Sequence, residues 1–485
     1  MIQARAPRVW GRAVDALTRR LGGPRQARVV LLLACVLALN TADSGVIGAI
    51  VEQLRASLHI DNTQVGVLTA APALVGAVAT VPVGMLTDRV PRVPLLAGSI
   101  LLWSAAMVVG GLATSYDWLL TSRVALGAVT ATAGPTVASL TGDLFPHRER
   151  AGIYGRILAG ELIGAGFGLV VGGNVAAALS WRAAFWFVAV LGVALAAAVW
   201  RLLPEPGRGA QGPGGSSARA GGEAAQQAVK ESDVRPRPEN VLTTDPSRMT
   251  LLQAAEHVLR IRTNAIIIVA SAIGYFFFAG LRTFAIVFVQ HRYGIGRGGL
   301  SLLVPVIGLG ALAGVLTAGR LADRLVRQGR IAARVLVPSV AYTASALLFL
   351  PGLLTTSAWL AMPLFFLAAA ALAGANPPLD AVRLDVVHFG LWGRAESIRT
   401  ILRMAGEAVA PVLFGWLSGV FAPGDHSGTG LDRVFLLALI PLLVNGLILL
   451  RARRSYPADV ASAMESERRF TAARPQNGAP PQNGA

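Results

Sequence analysis

Apolar runs of about twenty residues recur along this chain, each closed by a charge or a turn-forming cluster. Twelve such runs stand at roughly 29–50, 64–86, 94–113, 117–140, 152–174, 182–203, 264–289, 299–319, 333–352, 358–378, 396–420 and 433–451. A helix of about 20 apolar residues crosses the hydrocarbon core of a bilayer. The pattern therefore predicts an all-α polytopic membrane protein with twelve transmembrane helices. The runs divide into two sets of six, which predicts two helical bundles over 29–203 and 264–452. Residues 1–28 form a basic N-terminal stretch, and residues 204–263 join the bundles. The part 204–249 is rich in Gly, Pro, Ala and Ser and is expected to be a disordered linker. Residues 250–262 place Leu251, Leu252, Ala255, Val258 and Leu259 against Glu256, Arg260 and Arg262, an amphipathic helix expected to lie on the cytoplasmic membrane surface. The segment 453–485 ends in a repeated Pro-Gln-Asn-Gly-Ala and is expected to be a disordered cytoplasmic tail.

One short motif occurs once in each half. Gly84-Met85-Leu86-Thr87-Asp88-Arg89 closes the second run, and Gly319-Arg320-Leu321-Ala322-Asp323-Arg324 closes the eighth. An acidic–basic pair at the mouth of the same helix in each half implies internal duplication. Two similar halves are the architecture of secondary transporters.

Composition sharpens this picture. Hydrophobic residues make up 54% of the chain and charged residues only 14%, where a soluble domain carries about a quarter charged. The net charge of +17 would suggest a nucleic-acid partner in a soluble protein. Here the cations, nearly all arginines, stand at the ends of apolar runs, so no nucleic-acid partner is expected. Arg5, Arg8, Arg12, Arg19, Arg20, Arg25 and Arg28 precede the first run; Arg89 and Arg92, Arg148 and Arg150, and Arg324, Arg327 and Arg330 mark every second loop. The intervening loops are poorer in cations, with His291, Arg292 and Arg297 a mild exception. The positive-inside rule then puts both termini in the cytoplasm of a multi-pass protein of the cell membrane. The N-terminal basic region is too long for a cleavable signal peptide. Cys35 is the single cysteine, so no disulfide forms within the chain. No phosphate-binding loop occurs, and the six histidines are scattered. The reading is a non-enzymatic protein without metal or cofactor, working as a monomer in the bilayer. His257 and His388 are expected to be solvated near the cytoplasmic face.

Ionisable residues inside the membrane mark function by default. Asp43 lies roughly 21 Å into the first run from the cytoplasmic side, and Arg123 roughly 9 Å into the fourth from the outer side. In a core of about 30 Å the two reach similar depth and are expected to pair, with proton uptake when the pair separates. Glu161 and Glu407 stand mid-membrane on the fifth and eleventh runs, which are equivalent between the halves. With Asp43 and Arg123 they are the proton-coupling candidates. Arg403, one turn from Glu407, neutralises it. Arg403, Arg282, Tyr275 and Asn40 are the candidates for the substrate cavity. Phe276, Phe277, Phe278 and Phe284 surround Arg282 and are read as packing or lipid-facing. Asp88, Arg89, Arg92, Asp323 and Arg324 are the gating candidates: a carboxylate there can bond to backbone donors or arginines of the opposite half. Gly160, Gly164, Gly168 and Gly172 recur every four residues on the fifth run, a face that lets another backbone approach.

Six helices, a cytoplasmic linker and six more helices resemble the major facilitator superfamily. The loop with Gly84, Asp88, Arg89 and Arg92 is similar to that family's cytoplasmic gate motif, with Pro91 and Val93 departing from it. Arg123 with Gly127 resembles its second motif, with Leu126 and Val129 as departures. Gly155, Gly164, Gly168, Gly172 and Gly173 resemble its antiporter motif, with Leu169 where a proline is expected. Gly406-Glu407-Ala408-Val409-Ala410-Pro411 followed by Gly415, together with Asn40 and Asp43, resembles the Spinster-like lipid transporters. The resemblance implies alternating access between two pseudo-symmetric six-helix bundles. It points to proton-coupled export of a lipophilic or amphiphilic small molecule. The alternatives are lysolipid or lipid transport of Spinster type, and proton-symport uptake of a small polar solute. The partners implied are a small-molecule or lipid substrate, protons and the bilayer.

Overall fold

The computed structural model describes residues 23–145, 147–206, 219–232, 234–246, 249–423 and 429–472. These residues are almost wholly helical, without a strand among them. The first half contains α1 (Pro24–Leu58), α2 (Asn62–Arg89), α3 (Arg92–Gly111), α4 (Tyr116–Thr130), α5 (Ala133–Leu144), α6 (His147–Phe167), α7 (Gly173–Ala178) and α8 (Trp181–Leu202). A π turn, Gly168–Gly172, joins α6 to α7. The connection carries α9 (Arg219–Glu231) and α10 (Leu251–Arg260). The second half contains α11 (Arg262–Tyr293), α12 (Arg297–Arg327), α13 (Ala333–Leu354), α14 (Ala358–Gly374), α15 (Asn376–Val386), α16 (Trp392–Phe421) and α17 (Thr429–Ala472). Among the described residues, twelve helical stretches are long and apolar enough to cross a membrane. The fourth is α4 continued by α5, the fifth is α6 with α7, and the tenth is α14 continued by α15.

Helix starts follow local chemistry. At α2 the Asp61 carboxylate accepts from the Gln64 N–H at 2.7 Å while the Gln64 side chain accepts from the Asp61 N–H at 3.0 Å. This reciprocal cap satisfies donors that a helix start leaves open. Thr250 and Gln253 repeat it at α10.

Packing repeats between the halves. In the first, α1 lies on α6, α2 on α4, and α3 on α8; in the second, α11 lies on α16, α12 on α14, and α13 on α17. Three matched pairs make two six-span bundles of the same topology. Twelve crossings return the chain to its starting side, here called the terminal face. The halves meet through α1 with α11, α2 with α16, and α6 with α12. The closest approaches lie at the opposite face. A methyl group on Gly66 would come within 2.3 Å of the Pro411 carbonyl oxygen, and one on Gly415 within 2.1 Å of the Asn62 carbonyl oxygen. Asn62 donates to Ser418 at 2.9 Å across the same joint.

Two expectations from composition are overturned. The tail expected to be disordered from 453 is helical to Ala472, because α17 continues without a break past the membrane span. The connection is also bound. Asn240 donates to the buried Asp459 carboxylate at 2.9 Å, the Arg237 N–H to Ser462 at 2.8 Å, and the Leu242 N–H to Ser466 at 3.0 Å. The Thr263 N–H at the start of α11 reaches the other Asp459 oxygen at 3.1 Å. Polar residues that look like a solvated tail are instead the binding face for the connection's main chain. The N-terminal boundary also moves, since α1 starts at Pro24. His388, expected to be solvated, is 3% exposed. Its Nδ1 accepts from the Gly390 N–H at 3.1 Å, and its ring meets Phe470 edge-on. Burial and the nearby His257 push its pKa down to about 4.

Candidate functional site

One deeply enclosed ion pair joins α1 to α4. Asp43 accepts from Arg123, whose side chain is wholly buried. The guanidinium also rests over the Phe185 ring at 4.9 Å and donates weakly to the Met107 sulfur at 3.4 Å. The cation thus has a charge partner and an aromatic face inside an otherwise apolar bundle. Removing either member would leave the other charge buried and uncompensated.

A second group of charges lies where the halves face each other. On α16, Arg403 Nε stands 3.6 Å from the Glu407 carboxylate one turn on, and its guanidinium covers the Tyr275 ring of α11 at 4.6 Å. Glu161 comes from α6 of the other half and lies in electrostatic reach of Arg403, Glu407 and Arg282. Its carbonyl accepts from the Thr41 hydroxyl at 2.7 Å, which fixes its level along α1. Toward the terminal face Arg399 pairs with Asp380, and Arg383 pairs with Glu396 at 3.0 Å. Glu396, Arg399, Arg403 and Glu407 follow steps of three and four along α16, so one helix face carries them all. Phe276 and Phe414 pack beside the group with ring centroids 5.9 Å apart. Phe277 and Phe284 are buried core residues rather than lipid-facing ones. Arg282 lies over Phe278 at 5.8 Å, and its carbonyl abuts Gly48 of α1.

Asn40 does not join this group. It lines a crevice within the first half with Ser99, Trp103, Val129 and Thr130. Hydropathy gives depth along a helix but not rotation about it, and here rotation decides.

The gating candidates divide. The side chains of Asp88 and Arg89 lie outside the described residues, as do the surroundings of Gly155. Arg92 opens α3 and binds Asp143 at the end of α5, Glu205 beyond α8 at 3.3 Å, Ser139 at 3.0 Å and the Pro206 carbonyl at 2.7 Å. Its counterpart is Arg334 at the start of α13. Arg334 grips Asp385 of α15 with two bonds of 2.8 and 2.7 Å and Asp323 of α12 at 2.8 Å. Tyr456 of α17 donates to the same Asp385 at 2.5 Å. Asp323, expected to reach the opposite half, is therefore held within its own, because a buried arginine of α13 is nearer. Arg324 is exposed beside it. Sequence reasoning missed Arg334, Asp385, Asp143, Glu205, Asp380 and Arg399. One signal was present: the same number of positions separates Arg92 from Arg334 and Asp143 from Asp385.

The glycine face of α6 lies along α1. A methyl group on Gly160, Gly164 or Gly168 would come within 2.3, 2.0 or 2.0 Å of the carbonyl oxygens of Ala34, Ala38 and Ala42. Gly172 continues the row against Val46, and Gly173 lies near Ala49.

The comparisons with known proteins agree with this architecture. The profile of the Major Facilitator Superfamily matches residues 33–388. A protein of Aspergillus terreus called an MFS-type transporter is 31% identical over 159 residues, 32% of this chain and 29% of the relative. The chloramphenicol resistance protein of Streptomyces lividans is 27% identical over 296 residues, 61% of this chain and 66% of the relative. The chain thus matches less than two thirds of the length of either curated relative. Among solved structures, a bacterial homolog of the human lysosomal transporter Spinster superposes in its inward-facing unoccupied and occupied conformations. The TM-scores are 0.62 and 0.64 at 19% and 20% identity, over 91% of this chain and 98% of that one. The nucleoside transporter NupG superposes with a TM-score of 0.63 at 11% identity, over 87% of this chain and 99% of that one.

Proposed function

We propose, for a chain that belongs to the Major Facilitator Superfamily and is a multi-pass membrane transporter of a small molecule, that it exports a lipophilic or amphiphilic compound in exchange for protons. The carrying observation is the inter-half group: Glu161 from one half, Arg403 and Glu407 from the other, with the rings of Tyr275 and the half-buried Phe276 beside it. Such a site offers apolar surface for a hydrocarbon or ring and few neutral hydrogen-bonding side chains. That favours an amphiphile over a small polar solute. The relative named for chloramphenicol resistance supports export. The arginine-rich terminal face supports a cytoplasmic location for both termini in the cell membrane. Closure at the opposite face then corresponds to an inward-facing state. Rocking of the halves would separate Gly66 from Pro411 and bring the terminal face together, which is alternating access around a fixed site.

Proton coupling is assigned to two places. Glu161 lies between the halves and has no ion-pair partner within 4 Å among the described residues, so it can carry a proton as the halves move. Asp43 with Arg123 joins α1 to α4 within the first half, and separation of that pair would free the carboxylate to take up a proton. In proteoliposomes with an internal pH dye, chloramphenicol or a lysophospholipid added to one side is expected to drive proton movement. Asp43→Asn leaves the buried Arg123 facing an amide, at a cost in melting temperature, and the protein that inserts and folds is expected to lose that coupled movement by at least tenfold. Substrate flux without any proton flux in the wild-type protein would overturn the coupling, and normal coupling in Asp43→Asn would remove Asp43 from it.

A further inference from the structure

Two layers of charge face the space between the halves, and they differ in sign. Glu161 is level with Thr41 of α1, whose hydroxyl binds its carbonyl at 2.7 Å. Arg282 is level with Gly48 of the same helix, against which its carbonyl packs. Seven residues of helix separate the levels, roughly 10 Å. On α11, Tyr275 precedes Arg282 by the same seven residues, so Arg403 over Tyr275 belongs to the level of Glu161. The layer nearer the terminal face therefore holds two carboxylates, Glu161 and Glu407, around one guanidinium. Among the described residues, the layer nearer the closed face holds the single charge of Arg282.

Arg282 differs from the other deep arginines. Arg123, Arg399 and Arg403 each have a carboxylate within 4 Å. Arg282 has none among the described residues, and this alone sets it apart, because a buried Nε without a hydrogen-bond partner is common to Arg282, Arg123, Arg399 and Arg403. Its one described side-chain contact is the edge of its reach over Phe278. A guanidinium deep in a membrane span is costly, and more so where no carboxylate touches it; Glu161 acts on Arg282 only from beyond ion-pair distance. Its planar fork matches carboxylate, phosphate or sulfate groups with paired bonds.

We propose that Arg282 receives an anionic group of the transported amphiphile. This rests on the reading of the inter-half space as the transport site. The anionic group sits against the closed face, and the apolar part extends along Phe278 toward the carboxylate layer. Glu161 and Glu407 disfavour the reversed orientation by like-charge repulsion. A neutral or cationic amphiphile of the same length gains nothing from Arg282.

The test uses the full-length protein purified in dodecyl maltoside and titrated with decyl phosphate, decyl glucoside and decyltrimethylammonium, read as ligand-induced shifts in thermal unfolding. The wild-type protein is expected to bind decyl phosphate at least tenfold more tightly than decyltrimethylammonium. Arg282→Gln is expected to lose that preference while keeping its affinity for decyl glucoside, and Arg282→Lys to keep most of it. Glu161→Gln is expected to tighten decyl phosphate about threefold to tenfold by removing a negative charge. Should Arg282→Gln fail to fold, the wild-type headgroup series and Arg282→Lys decide the matter. Equal affinity for the three headgroups in wild type, or an undiminished phosphate preference in Arg282→Gln, overturns the role of Arg282 and leaves the amphiphile site standing. Absence of saturable binding by all three overturns the site as well.

Discussion

The seam between α1 and α6 and the seam between α11 and α16 join the same pair of helices in the two halves, yet they are built differently. In the first, three successive glycines bring one backbone onto the carbonyls of Ala34, Ala38 and Ala42. No side chain intervenes, so nothing in that row can rearrange without separating the helices. In the second, Gly406 makes one close approach to Ala272, while Gly280 is filled by the Phe414 ring and Arg403 lies over Tyr275. Side chains with rotatable bonds occupy that seam, and the charges facing the other half are mounted on them. One half therefore supplies a stiff frame holding Asp43 and Arg123. The other supplies most of the adaptable chemistry, with Glu161 reaching across.

The largest effect is expected from breaking the stiff seam. Gly164→Val would drive a branched side chain into the Ala38 carbonyl, where even a methyl group meets the oxygen at 2.0 Å. Backbone cannot yield as a side chain can, so the cost is put at about 5 kcal/mol, at the exceptional end for one substitution. The measurable outcome is loss of monodisperse protein on size exclusion after detergent extraction. Gly280→Ala in the other seam meets the end of the Phe414 ring at 2.6 Å, which can swing away. Its cost is expected near 1 kcal/mol. Similar yields and melting temperatures for the two variants would erase the contrast between the seams.

The arginine hubs at the terminal face make a finer comparison. Arg334 faces Asp385, whose side chain is 1% exposed, whereas the partners of Arg92, Asp143 and Glu205, are 19% and 36% exposed. Arg334→Gln leaves a buried carboxylate with Tyr456 as its neutral donor, at an expected cost of about 3–5 kcal/mol. Arg92→Gln leaves carboxylates that water can reach, at about 1–2 kcal/mol. Thermal unfolding in detergent measures both. A larger loss for Arg92→Gln would show that burial is not what separates the hubs.

How much of this the sequence carried depends on the kind of information. The twelve spans were legible because length and hydropathy set them, and because the duplicated Gly-to-Arg motif marked the halves. The shared level of Asp43 and Arg123 was legible by counting residues from each end of a span. Asn40 shows the limit of counting: its depth suits a cavity, but its rotation about α1 turns it toward Trp103 and Thr130. The partners of Arg334 were hidden for another reason. Asp385 and Tyr456 are far apart in the chain, and only the packing of α13, α15 and α17 brings them together. The helical tail was hidden because Asp459, Ser462 and Ser466 read as solvent-facing polar residues until the main chain they bind is seen.

A further expected effect belongs to the second half alone and concerns acid. His388 lies between α15 and α16, outside the membrane spans, and is faced by His257 of α10, Phe470 of α17 and Asp245 of the connection. Its pKa falls from 6.5 to about 4 because burial and the nearby His257 oppose a charged ring, an effect that Asp245 partly offsets. The pKa of His257 is likewise lowered, by burial and by Arg260. A histidine whose folded pKa is depressed stays neutral in the native state while the unfolded chain takes up a proton. The unfolded state then binds more protons between the two values, so stability is full above pH 6.5, falls as pH drops through that window, and levels off below about 4. From pH 7.5 to pH 5 the loss from His388 comes to about 2 kcal/mol. His257 adds to it with the same sign. His388→Asn keeps an acceptor for the Gly390 N–H but cannot titrate, so its melting temperature is expected to fall less steeply with acid than that of the wild type. The first half has no described counterpart of this buried ring. The acid-sensitive step is therefore expected to expose the connection at Asp245 and the end of α17 to protease while α1 to α8 remain protected. Equal pH slopes for His388→Asn and wild type would show that the ring titrates freely and that the terminal cap of the second half is no more acid-labile than the rest.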